Sequence, residues 1–169
     1  MKLDAVTVIK CLMQNMKSNN DDLKYMQVAL KEALVASNKG EVPVGAVIVK
    51  DNKIIAKAHN LRQTKKSVLS HAEILAIEKA SKKLNTWMLD DCTLYVTIEP
   101  CLMCTGTILQ SRIKRVVYGA KEPKFGSLGS IIDISKISDF NHQIEVTSGV
   151  LEEDAKLLMK TFFQNLRNK

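Results

Sequence analysis

The chain lacks any long apolar run. Its longest uncharged apolar stretch, Val42 to Val49, is far shorter than the roughly 20 residues a membrane-spanning helix needs. Near the N-terminus only Ala5 to Ile9 lie between the charges of Asp4 and Lys10, too few for the core of a secretory signal. Internal repeats and low-complexity tracts are missing as well. Cysteine is scarce, with four in 169 residues, which fits a reducing compartment better than a disulfide framework. These absences set the expectation of a cytoplasmic protein with no membrane contact.

What is present is ordinary in bulk. A length of 169 residues suits one domain with a substantial core, and 46% hydrophobic residues is typical of globular chains. The net charge is +7, from 25 basic and 18 acidic side chains. That balance permits binding to a polyanion such as RNA, and it equally describes a lysine-rich solvated surface. Arg62, Lys65 and Lys66 precede one candidate site segment, and Lys121 and Lys124 follow another.

Two short segments carry the chemistry. Thr93 to Ile98 reads as a strand feeding into Glu99-Pro100-Cys101-Leu102-Met103-Cys104. Proline suits the first position of a helix, and the three-residue spacing puts both cysteine sulfurs on one helical face. The positive end of the helix favours thiolates, so the pair makes half of a zinc site. Upstream, Ser70 is a suitable N-cap, and Ser70-His71-Ala72-Glu73 opens the apolar-periodic run Ile74, Leu75, Ile77, Ala80. His71 then offers the nitrogen ligand. Three protein ligands leave a fourth tetrahedral position for water, the mark of a catalytic rather than structural zinc, and Glu73 can exchange protons with that water without binding the metal. Each part has a plainer meaning: a capping box, a redox pair or two small core cysteines, a structural histidine. Their combination matches H-x-E…P-C-x-x-C, the signature of zinc nucleobase deaminases.

Along the chain, residues 1–20 suggest an appended short helix or disordered arm, with Val6, Ile9, Met13 and Met16 at helical spacing, and 21–169 a single zinc-dependent domain. A helix is expected from Asp21 or Asp22 to Asn38, with Leu23, Met26, Leu30, Ala33 and Leu34 as its apolar stripe and Gly40 as its stop. Val44 to Lys50 and Lys53 to His59 read as a hairpin turning at Asp51-Asn52. Gly45 marks a place where a ligand or another backbone approaches closely. A polar connection leads to a helix over 71–84; the cysteine helix runs to about 111, and a strand follows at 115–119. After a loop over 120–130, a short helix at 131–138, a strand at 143–147 and a closing helix at 151–166 complete the pattern. Trp87 reads as core or as an anchor for a partner. Strands joined by helices imply an α/β sheet begun by an antiparallel hairpin and covered on both faces, with both ligand-bearing helix starts at its carboxyl edge.

From about residue 22 to 168 the chain resembles the bacterial tRNA-specific adenosine deaminases, which convert wobble adenosine to inosine. The stretches that carry the resemblance are E-V-P-V-G-A-V at 41–47, A-H-N-L-R at 58–62, H-A-E at 71–73, T-L-Y-V-T-I-E-P-C-L-M-C at 93–104, S-R-I-K-R-V-V-Y-G-A at 111–120 and F-F-Q-N-L-R at 162–167. The first motifs alone would also fit guanine, cytosine or deoxycytidylate deaminases; the matches after Cys104 single out the tRNA enzymes. The resemblance implies a cytidine-deaminase-like α/β/α fold around a five-stranded mixed sheet whose last two strands are parallel, and a homodimer. It implies one zinc ion per subunit on His71, Cys101 and Cys104, with Glu73 as proton shuttle. Asn60 matches the family's base-contacting asparagine. Glu122 stands where the family has an aspartate near the anticodon nucleotides, and Phe163 and Arg167 match final-helix residues near the anticodon loop. A tRNA anticodon stem-loop is the implied partner, with no DNA.

Overall fold

A computed structural model describes residues 21–168, so the expectation for 1–20 lies outside the described residues. Helix α1 (Asp21–Asn38) opens on Asp21 and Asp22, where its partial positive charge favours acids. It buries Tyr25, Met26, Ala29, Leu30, Ala33 and Ala36, while Leu23 and Leu34 of the expected stripe are only half-buried. The alanines on this face let the sheet come close. At Gly45 a Cβ would lie 2.0 Å from the Ala29 carbonyl oxygen, so the glycine is required by the helix backbone passing over the strand.

Strands β1 (Gly45–Lys50) and β2 (Lys53–His59) form the expected hairpin. Asp51 and Asn52 both take positive φ, 49° and 57°, the primed turn that matches strand twist. A short helix α2 (Arg62–Lys65) lies within the polar connection to the next helix. Helix α3 (Ala72–Leu84), strand β3 (Thr93–Ile98), helix α4 (Leu102–Gln110), strand β4 (Arg115–Ala120), strand β5 (Glu145–Ser148) and helix α5 (Glu152–Arg167) follow. The strand order is β2-β1-β3-β4-β5; β1 is antiparallel to both neighbours, and β3, β4 and β5 are parallel.

The pleat separates two cores. Ala46, Ile48, Leu94, Val96, Val116 and Tyr118 pack with Leu75, Ala76, Ala80 and Ile108 under α3 and α4. Val47, Val49, Tyr95 and Val117 point the other way, against Tyr25, Met26 and Ala29 of α1, and Ala155 of α5 packs beside Leu30 and Ile98. The result is the expected three-layer α/β/α arrangement around a five-stranded mixed sheet.

Three expectations are corrected. The segment 131–138 forms only a 3-10 turn, Ile134–Lys136. Strand β5 begins later than 143, because the Gln143 side chain donates to the carbonyls of Ile137 and Phe140 and keeps the chain in a turn. Of the two readings of Trp87, core or partner anchor, the fold removes the first: it is 61% exposed. The helix after Ser70 starts one residue late and the helix after Pro100 two residues late. The Ser70 carbonyl accepts from Leu61 N–H (3.0 Å), so the first helical bond of α3 runs from Leu75 to the His71 carbonyl. The Pro100 carbonyl likewise accepts from Ser127, and α4 begins with Thr105 donating to Cys101. His71 is therefore the N-cap in place of Ser70, and Cys101 is the N-cap of α4, which leaves Pro100 outside the helix rather than at its first position.

Candidate active site

The site is built by one edge of the sheet. Because β1 is antiparallel to β2 and β3, its start at Gly45 meets the end of β2 at His59 and donates to Thr97 near the end of β3 (3.2 Å). The parallel β4 ends at the same edge. Asn60, Glu99-Pro100-Cys101 and the loop after Ala120 thus arrive together, beside the N-termini of α3 and α4.

An N-cap side chain normally turns back to bind its own helix. Neither His71 nor Cys101 does so, and each faces the other helix instead. His71 Nδ1 lies 3.8 Å from Cys101 Sγ and 3.5 Å from Cys104 Sγ. The three ligand atoms all lie within 4.8 Å of one another and can hold a metal ion. Ordinary zinc bond lengths at tetrahedral angles place nitrogen and sulfur ligands roughly 3.5 Å apart, so the donor set and its spacing fit such an ion. The partial positive charge of two helix N-termini converges on the sulfurs. The Cys101 thiol is held down at about 4, chiefly by the hydrogen bond from the Cys104 thiol and further by His71, against its own desolvation. Cys104 is pushed up because it is the donor of that bond and is buried. His71 is raised by its bond to Cys101, opposed by burial.

Glu73, in the first turn of α3, is 4% exposed and within hydrogen-bonding reach of Cys104. Desolvation raises its pKa, and only its own backbone N–H, His71 and the Cys104 thiol oppose that rise. A buried carboxyl with a raised pKa, beside three atoms able to hold a metal, has the chemistry suited to carrying a proton.

Asn60 is brought to this edge by Leu61, whose N–H binds the Ser70 carbonyl next to His71. Its side chain is buried and donates from Nδ2 to Glu41 (3.3 Å). Glu122 sits on the loop that touches Cys101 through an antiparallel bridge between Cys101 and Gly126; its carboxylate accepts from Lys124 N–H (2.9 Å). Phe163 and Arg167 are not brought to the cluster. They lie in the last turns of α5, in the layer across the sheet from α3 and α4, where both are exposed.

Two buried glutamates escaped the sequence reading. Glu41 accepts from Asn60, from Gln63 N–H (3.1 Å) and from Thr64 N–H (2.6 Å), so it caps α2 and fixes Asn60 at once. Burial raises its pKa, but the backbone donors outweigh that and the net shift is down. Glu99 accepts from the N–H groups of Leu128 (3.0 Å), Ser130 (3.0 Å) and Glu122 (3.1 Å) and from the Ser130 hydroxyl. The available signal was an acid at the end of each otherwise apolar segment.

The MafB19-like deaminase family profile matches residues 20–167. The chain is similar to the tRNA-specific adenosine deaminase of Bacillus subtilis (strain 168), 51% identical over 148 residues, 88% of this chain and 92% of that protein. A solved structure concerned with A-to-I editing by tRNA:A34 deaminases at the wobble position of transfer RNA superposes with a TM-score of 0.77 at 38% identity, covering 80% of this chain and 98% of that one. A guanine deaminase from Bacillus subtilis matches with a TM-score of 0.57 at 44% identity over 58% of this chain and 63% of its own. The long matches after Cys104 and the near-complete coverage of the first relative agree with the geometry of the edge: this chain belongs to the tRNA-specific adenosine deaminase family.

Proposed function

We propose that this protein hydrolytically deaminates adenosine to inosine at the wobble position of a tRNA anticodon, in the cytoplasm, with residues 21–169 acting as one domain. The observation that carries the proposal is the buried Glu73 beside the His71/Cys101/Cys104 set. Those three residues would hold zinc, and a bound zinc supplies an acidified water with a pKa near about 7. Glu73 takes a proton from the attacking water and delivers it to the ring nitrogen beside carbon 6 of adenine as the water oxygen bonds to that carbon; it then takes the second proton from the new hydroxyl and gives it to the amine, which leaves as ammonia. Its desolvated setting suits both steps, because a raised pKa lets the carboxyl hold a proton as well as release it. Asn60, held by Glu41 with its NH₂ inward, offers its carbonyl oxygen to the extruded base. An anticodon loop presents unstacked bases at little cost. Glu122, Phe163 and Arg167 are assigned to flanking nucleotides, and the exposed Arg62, Lys65 and Lys66 to the phosphates. A homodimer is assigned to the apolar cleft where Trp87, Leu102, Leu109, Ile134 and Phe140 come together, since exposed apolar patches mark association surfaces.

The test is inosine formation in an anticodon stem-loop carrying wobble adenosine, alongside free adenosine, guanine and deoxycytidylate, with Glu73→Ala as control. Inosine in the stem-loop alone, lost in the variant, is expected. Turnover of guanine with the RNA untouched would replace this assignment by the free-base reading, which the guanine deaminase likeness favours.

A further inference from the structure

Phe125 is 69% exposed, more than any other large apolar side chain among the described residues. A lone exposed apolar residue needs no explanation. Two features set this one apart.

The first is the stiffness of what carries it. The Glu99 carboxylate gathers the N–H groups of Glu122, Leu128 and Ser130. Gly126 donates to the Glu122 carbonyl (2.9 Å) and accepts from Ile131 (3.0 Å), and it pairs with Cys101 across the antiparallel bridge. A Cβ on Gly126 would meet the Glu99 carboxyl carbon at 2.6 Å, so the backbone is drawn tight onto the buried acid. Phe125 is thus an outward-facing ring on a fixed tip, one residue from the strand-like pairing with a residue of the ligand set.

The second is its company. Lys121 and Lys124 on the same loop are exposed, while the Glu122 carboxylate is turned back onto Lys124 N–H (2.9 Å). An exposed aromatic ring on one loop with two exposed cations, beside the catalytic edge, is the chemistry of single-stranded nucleic acid: the ring stacks a base and the ammonium groups meet phosphates.

We infer that Phe125 is the stacking platform for a base directly flanking the deaminated one, with Lys121 and Lys124 on the adjoining phosphates. This rests on the RNA reading above and deepens it: the loop on Glu99 selects for a base that can be stacked next to the target.

The experiment uses the full chain and the wobble-adenosine stem-loop, with 2-aminopurine placed in turn at each nucleotide flanking the target. Wild-type protein should quench the probe at one flanking position. Phe125→Ala should abolish that quenching and weaken binding by roughly tenfold to a hundredfold, the range for losing one base–aromatic stack, with KM rising more than kcat falls and the melting temperature unmoved. Phe125→Trp should restore both. Lys121→Ala with Lys124→Ala should flatten the salt dependence of binding. Binding by Phe125→Ala within twofold of wild type, or a fall in melting temperature that Phe125→Trp does not repair, would overturn the inference while leaving wobble deamination standing. Wild-type protein that neither binds nor edits the stem-loop would overturn both.

Discussion

Glu73 and Glu99 are buried to almost the same degree, 4% and 2% exposed, and both stand at the catalytic edge, yet their oxygens are used in opposite ways. Glu99 is saturated: three backbone N–H groups and a hydroxyl converge on it, and it has no capacity left for chemistry. Glu73 has few donors, and desolvation raises its pKa. Burial alone therefore does not identify a proton carrier. The number of fixed donors around the carboxylate decides whether it anchors a loop or remains able to gain and lose a proton.

Neutral isosteres should separate the two roles. Glu73→Gln is expected to lower kcat by about 10²- to 10⁴-fold while leaving thermal stability unchanged or higher, since it removes a desolvated charge. Kinetics and calorimetry on one preparation decide it, and a variant that unfolds early would place Glu73 among the anchors. Glu99→Gln should do the reverse. Its amide would point an NH₂ at backbone donors, destabilising the fold by about 3 kcal/mol, read as a lower denaturant midpoint at constant slope. Equal stability with lost turnover would erase the contrast. Gly126→Ala tests the same anchor from the loop side, because the new methyl would meet the Glu122 carbonyl oxygen at 2.5 Å and the Glu99 carboxyl at 2.6 Å. A loss of about 2 kcal/mol is expected, smaller than removing the acid itself.

The smallest effect belongs to a carboxylate far from the site. Asp22 takes two bonds from Arg115 (2.8 and 2.7 Å) and one from the Tyr95 hydroxyl (2.8 Å), and the Arg115 guanidinium first, then Tyr95, hold its pKa below the usual value against partial burial. A depressed folded pKa gives stability that is present above the unfolded value and lost as pH falls through the folded one. Asp22→Asn should therefore cost about 1 kcal/mol near neutrality, discounted for partial exposure, and the gap from wild type should close below roughly pH 4. A gap independent of pH would assign the loss to packing.

Much of this was legible beforehand because it rests on local chemistry. The Asp51-Asn52 turn, the short strand-like runs and the H-A-E and P-C-x-x-C segments each state their geometry within a few residues. Even the approach at Gly45 was readable, although nothing in the sequence said that α1, and not a ligand, comes close. The misplaced helix starts have one cause: the carbonyls of Ser70 and Pro100 are diverted to Leu61 and Ser127, partners 9 and 27 residues away in sequence. For Trp87 the sequence left core and partner anchor both open, and only the fold leaves it uncovered.

The sequence by itself determined the element types, the donor atoms for a metal and the acid beside them, since spacing on one helix and chemical identity are local properties. Only the tertiary structure decided that two N-caps from different helices face one another, that Glu41 and Glu99 are anchors and Glu73 is not, and that Phe125 stands outward on a fixed tip. Those facts depend on which backbone N–H groups the strand order β2-β1-β3-β4-β5 brings to one edge, and hydrogen bonds between residues distant in sequence leave no periodic trace in it.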